Sequence, residues 1–151
     1  MQVKTMRFGT LEVDDSTLIK MPRGPLGFED YRRFCLIEPH AKASFRWLQS
    51  VDEPGLAFVV VDPSEHFDNY EVEIGDSDEE RLQLVDESDA LVFTILTIRN
   101  GGQDITANLA APIIINAKNL IGAQVVLQNE RYSTQCPLIV GHAEAVVAKA
   151  A

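Results

Sequence analysis

The sequence predicts an all-β, mostly antiparallel domain: a small β-barrel-like unit with one or two short helices. Three observations predict it. Apolar residues come mostly in short runs separated by turn residues, which is the spacing of many short strands. Two of those runs, Leu56 to Val61 and Leu91 to Ile98, are nearly continuous, as in strands covered on both faces in the middle of a closed or nearly closed sheet. Helical signals are confined to two places. At 151 residues the chain fits one domain that can bury a core.

Taken in order, Val3 to Phe8, the Gly9-Thr10 pair and Leu11 to Val13 read as a hairpin. Thr17 to Met21 is a third short strand. Phe28 to Arg33, just after Pro25 and Gly27, has room for a short helix. Phe34 to Ile37 and Phe45 to Val51 follow as strands. In the second, Phe45, Trp47 and Gln49 share one face, and Arg46, Leu48 and Ser50 share the other. Ser77-Asp78-Glu79-Glu80 has the form of an N-cap with first-turn acids, predicting a helix from about Asp78 to Leu84 with Leu82 near the core. From Thr106 to Asn116 a small, polar lead-in meets Pro112, whose missing N–H and fixed φ suit the first residue of a strand. Ile113 to Ile115 favour a pleated, buried setting, and Asn116 can close the strand with a turn. Thr106 and Asn108 are either the shaped entrance of that strand or polar groups at a site. Val125 to Leu127 is a further strand in a segment that Gly122 begins. The domain is expected over residues 1–140, with residues 141–151 as a weakly helical, mobile tail.

Charge narrows the function classes. The net charge is −10, from 13 basic and 23 acidic residues. Between Asp52 and Asp89 there are 14 acidic residues and a single basic one, Arg81. Neutralising nucleic-acid phosphates needs clustered Lys and Arg, so direct nucleic-acid binding is disfavoured, and so is an anionic membrane surface. A basic protein partner fits, although a solvated acidic face has the same composition. No apolar run is long enough to span a bilayer, and Met1 to Arg7 lack a signal-peptide core. Cys35 and Cys136 stand outside any Cys-x-x-Cys or zinc spacing. Free thiols suit the cytoplasm, the expected location.

The search for chemistry returns no catalytic residue. His40, His66 and His142 are far apart in sequence, lack a neighbouring nucleophile pattern, and read as surface loop residues. Ser50 is not in a nucleophile elbow, and no phosphate-binding loop, dinucleotide fingerprint or His-Glu-x-x-His is present. Gly101-Gly102 is a turn without phosphate-cradle context, and Cys35 alternates inside a strand as a buried thiol. No cofactor or metal is called for.

Several segments in order and spacing resemble the FliW family of flagellar assembly factors. They are Pro25-Leu26-Gly27-Phe28-Glu29-Asp30, Trp47-Leu48-Gln49-Ser50-Val51, and Leu56 through Asp62-Pro63, then Tyr70-Glu71. Thr106 through Pro112-Ile113 and Gln124-Val125-Val126-Leu127 with Tyr132-Ser133 complete the series, which spans about Met21 to Pro137. Arg32-Arg33, Cys35 and the tail after Leu138 fall outside the resemblance.

The resemblance implies a non-enzymatic, mostly β, barrel-like cytoplasmic protein. Its implied partners are flagellin, bound before export, and CsrA, a small RNA-binding translational repressor that it antagonises allosterically when free. Glu71, Glu73 and Asp76 are then candidates on an acidic face that attracts CsrA. Phe28, Leu48, Phe58 and Tyr70 are candidates for an apolar groove that takes the helical terminal region of flagellin, with core packing as the competing role, above all for Phe58. Glu29, Gln49, Thr106 and Asn108 join the partner-binding candidates. The alternative is an enzyme on a small β-barrel that binds a ligand or cofactor, which a copurified chromophore would reveal.

Overall fold

The computed structural model describes residues 1–138 apart from Lys42 and Asn129. A hairpin of β1 (Gln2–Thr5) and β2 (Gly9–Glu12) comes first. It is followed by β3 (Ile19–Lys20), β4 (Arg33–Ile37), β5 (Arg46–Ser50) and β6 (Ala57–Val61). A single α-helix among the described residues, α1 (Asp76–Leu82), precedes the long β7 (Ala90–Arg99). Then come β8 (Asp104–Ala107), β9 (Ile113–Asn116), β10 (Gly122–Gln124) and β11 (Cys136–Pro137).

The strands after the hairpin form one antiparallel sheet in the order β10-β9-β7-β6-β5-β4-β3, with β8 and then β11 added beside the far half of β7. The sheet curls until its two ends meet. Lys20 forms a parallel bridge to Ile121, and its N–H donates to the Leu120 carbonyl at 3.0 Å. Gly122 permits this approach: a Cβ there would lie 3.2 Å from the Ile19 side chain and 3.3 Å from that of Ile115.

Strand alternation then divides the side chains. Ile19, Phe34, Leu48, Val60, Phe93, Ile113 and Ile115 pack together inside the ring. Their neighbours Trp47, Val59, Val61 and Leu96 face outward and are covered by Ile105, Ala107 and Leu138, with Phe8, Tyr70 and Tyr132 at the margin. Leu82 of α1 seats on Ile114, Ala123 and Val125, the outer face of β9 and β10. The continuous apolar runs in β6 and β7 are thus explained by cover on both faces. Trp47 and Leu48 fall in different clusters, as the alternation in β5 requires.

Several local expectations are corrected. Phe28 to Arg33 is not helical, because the chain doubles back so closely that Gly24 N–H donates to the Glu29 carbonyl at 3.0 Å. A Cβ on Gly24 would lie 2.2 Å from the Tyr31 carbonyl oxygen, so that fold-back needs glycine. The helix begins at Asp76 behind a Gly75 cap rather than at about Asp78 behind Ser77, and Gln83 in the left-handed region (φ 56°) ends it at Leu82 rather than Leu84. Leu82 is fully buried, as expected. Thr106 to Asn116 is not one strand but β8 and β9, separated where Asn108 Oδ1 accepts from Ala111 N–H at 3.1 Å. Val125 to Leu127 lies past the end of β10, although Val125 and Leu127 still donate to the Pro112 and Ala110 carbonyls. His66 is buried, only 3% exposed, behind the 3-10 turn Pro63–Glu65, whereas His40 is exposed. Cys35 is buried in β4, and burial pushes its thiol pKa up. His142 and the expected tail lie outside the described residues.

Candidate interaction surface

Residues 71–75 belong to no helix or strand, and their exposure alternates, sorting them by chemistry. Val72 and Ile74 turn in to the cluster under α1, while Glu71 and Glu73 turn out to solvent, and Asp76 continues the acidic row at the first turn of the helix. Glu87 joins Glu71 and Glu73 around a groove of about 560 Å³ whose apolar side is Ala90 and Val92. Arg81 pairs with Asp78 at 2.7 Å and reaches the Gln124 carbonyl at 3.3 Å.

Three anchors hold this row to the ring. Tyr132 Oη accepts from Glu71 N–H at 2.9 Å, and the Tyr70 and Tyr132 rings meet edge-on at 4.7 Å. Tyr70 Oη donates to the Leu109 carbonyl at 2.6 Å. Burial, with Tyr132 as the lesser cause, raises the Tyr70 phenol well above its ordinary value, so it remains a donor through the neutral range. At the other end, Asn116 Nδ2 donates to the Leu82 and Gln83 carbonyls at 2.9 and 3.1 Å and grips the C-terminal turn of α1. From sequence Asn116 is only a turn residue; its place at the close of an isoleucine run is the available signal for this second role.

Tyr70 also lines a larger groove of about 580 Å³, together with Leu36, Arg46, Asp62 and Pro63 on one side and Ala90 to Phe93 on the other. Arg46 is paired with Glu38 at 3.0 Å, and its guanidinium lies 5.8 Å from the centre of the Phe93 ring.

A second exposed feature is the loop that folds back on Gly24. Phe28 is 39% exposed and sets its ring edge-on against Phe58 at 5.4 Å. Phe58 is half-buried and continues to Phe34 inside the ring. Glu29 Oε1 accepts from Gly27 N–H at 3.2 Å; bonds from the Glu29 and Gly27 N–H groups hold that carboxyl below its ordinary pKa. Gln124 ties the loop to the barrel by accepting from Leu26 N–H at 2.8 Å and donating to the Ala111 carbonyl at 3.0 Å.

The remaining candidates sit elsewhere. Leu48 is 1% exposed and points into the ring. Gln49 is equally buried, and its Nε2 lies between the carbonyls of Ser50 (3.0 Å), Leu56 (3.2 Å) and Pro54 (3.3 Å), clamping the β5–β6 connection. Both side chains are withdrawn from any surface. Thr106 is half-buried in β8 opposite Pro137, and Asn108 holds the turn before Pro112. The structure therefore gathers Tyr70, Glu71, Glu73 and Asp76 on one segment and leaves Phe28 and Glu29 on a separate loop. Among the described residues no group of His, Cys, Asp or Glu is placed to hold a metal ion, and no helix is long and apolar enough to cross a membrane.

A family model described as FliW protein matches residues 2–138. The chain belongs to the FliW family. It is 38% identical over 136 residues to the flagellar assembly factor FliW of Alkaliphilus metalliredigens, covering 89% of this chain and 84% of that one. With the FliW of Geobacter sulfurreducens it shares 39% identity over 137 residues, covering 91% and 86%. A crystal structure of the flagellar assembly factor FliW superposes with a TM-score of 0.84 at 34% identity, covering 91% of this chain and 96% of that one. The curled, mostly antiparallel sheet with one helix is therefore the FliW fold.

Proposed function

We propose that this chain is a non-enzymatic flagellar assembly factor of the bacterial cytoplasm that binds flagellin before export and, when free, binds CsrA and antagonises it allosterically. The observation that carries this reading is the FliW family match, which runs over residues 2–138. Two surfaces support it. The outward row of Glu71, Glu73 and Asp76 has the sign needed to steer a basic RNA-binding repressor and to reject nucleic acid itself. The exposed Phe28 ring, set edge-on against Phe58, is of the kind that receives the apolar face of an amphipathic helix, such as the terminal region of flagellin.

The test is a competition. CsrA is bound to a flagellin message leader, this protein is added, and flagellin follows. Release of RNA on the first addition and its rebinding on the second are expected. RNA that stays bound, or release that flagellin does not reverse, overturns the reading. Charge reversal at Glu71, Glu73 and Asp76 is expected to slow CsrA association and flatten its salt dependence; an unchanged on-rate removes the acidic row from the account.

A further inference from the structure

Among the described residues, β7 has a continuous set of partners on one side only. β9 pairs with Ala90 to Phe93 and β8 with Leu96 to Arg99, whereas on the opposite side β6 pairs with Thr94 and Ile95 alone. Alternation tells where each backbone group of β7 points. The Asp89 and Ile95 carbonyls accept from Ala117 and Asn108 on the β9 side. Leu91 and Phe93 share that direction, and Ala90, Val92 and Thr94 face the β6 side. Val61 meets Thr94, so the next rung would set residue 63 against Val92. That residue is Pro63, which has no N–H to donate. Its carbonyl is taken by the N–H groups of His66 and Phe67 at 3.1 and 2.9 Å. The ladder stops there. The Val92 N–H and C=O face the groove, beside the Ala90 carbonyl, while the Ala90 N–H is held by Glu87.

The two faces along this edge differ in chemistry. On the ring side lie Leu36, Leu91 and Phe93. On the outer side Ala90 and Val92 pack in one cluster with Val72 and Ile74, and Glu71, Glu73 and Glu87 lie around them. A strand laid against β7 would alternate in step with it, presenting one set of side chains to the apolar side and the other to the carboxylates.

The geometry points to strand addition: an extended peptide segment of alternating apolar and Lys or Arg residues docks along Ala90 to Phe93 and hydrogen-bonds Val92. Its apolar side chains enter beside Leu36 and Phe93, and its cations meet Glu71, Glu73 and Glu87. The inference rests on reading the acidic row as a partner surface and names the form of the partner that row receives.

The probe is a fluorescein-labelled octapeptide of alternating valine and lysine, titrated against the whole chain and read by anisotropy, with the Val92 amide followed by hydrogen exchange. Saturable binding that weakens with salt is expected, with Val92 exchange slowed about tenfold or more at saturation. N-methylation of the peptide amides on the β7-facing side is expected to weaken binding about tenfold. So is the Glu71→Gln/Glu73→Gln double variant, whose exposed side chains leave the core intact. No binding, equal binding of the N-methylated peptide, or unchanged Val92 exchange at saturation overturns the proposal. The assay contains neither CsrA nor flagellin. Peptide docking without RNA release in the competition sinks only the functional reading, and RNA release without Val92 protection sinks only this one.

Discussion

The first four positions of β7 and the two that follow them at its middle carry similar residues and live in different surroundings. Thr94 and Ile95 have β6 on one side and the Asn108 N–H on the other, with apolar cover above and below. Ala90 to Phe93 have β9 on one side and a groove on the other. Nothing in Ala90-Leu91-Val92-Phe93 itself sets this difference. It is set thirty residues earlier, where Pro63 ends the neighbouring strand and turns the chain away. A strand's own sequence reports whether its faces are buried; whether its edges are filled is written in its neighbours.

The contrast can be broken from its strongest side first. Leu48→Ala, inside the ring, is expected to lower the unfolding free energy by about 3 kcal/mol. The readout is the urea midpoint at constant slope, and a loss below about 1 kcal/mol would mean that the interior is loosely packed. Asn116→Ala removes the Gln83 carbonyl's side-chain donor and leaves the Leu82 carbonyl with only the longer bond from Asn119 (3.4 Å), and is expected to cost about 2 kcal/mol, with faster amide exchange in α1. Unchanged helix exchange would show that Leu82 burial alone holds α1. Pro63→Ala supplies the absent N–H and is expected to change stability by less than about 1 kcal/mol while adding one rung between residue 63 and Val92. A scalar coupling across that hydrogen bond would report it; its absence would assign the end of the ladder to the 3-10 turn rather than to the imino acid.

The smallest effect belongs to the loop of Phe28. Glu29 has its pKa lowered below the ordinary glutamate value of 4.5 by the Glu29 and Gly27 N–H groups. Its contribution is therefore complete above pH 4.5 and fades as the pH falls through the lower folded value. Glu29→Gln should flatten that part of the acid limb. Identical acid limbs in the two proteins would remove these hydrogen bonds from the account.

Much of the ring was legible because burial leaves a period in the sequence. The alternation in Arg46 to Ser50 gave both faces of β5, and the unbroken runs announced strands with double cover. What escaped depends on contacts between distant segments. The Phe28 loop looked helical until its backbone met Gly24, and His66 looked like a surface residue until the turn after Pro63 folded over it. The acidic row of the candidate site was visible as composition, yet its alternation with Val72 and Ile74 had to be seen against the barrel. Leu48 and Gln49 are neighbours in a strand that is buried from Trp47 to Ser50, and the alternation of β5 sends Leu48 into the ring and Gln49 to the opposite face, onto the β5–β6 connection.

The bridge between Lys20 and Ile121 makes the barrel a clasped bracelet rather than a seamless hoop. Every other junction in the circle is a ladder of at least two rungs, whereas the clasp is a single parallel contact beside Leu120, whose backbone sits in the left-handed region at φ 58°. A bracelet under load unfastens at its clasp. At that clasp the circle relies on the packing of Ile19 and Ile115 around Gly122 more than on backbone hydrogen bonds.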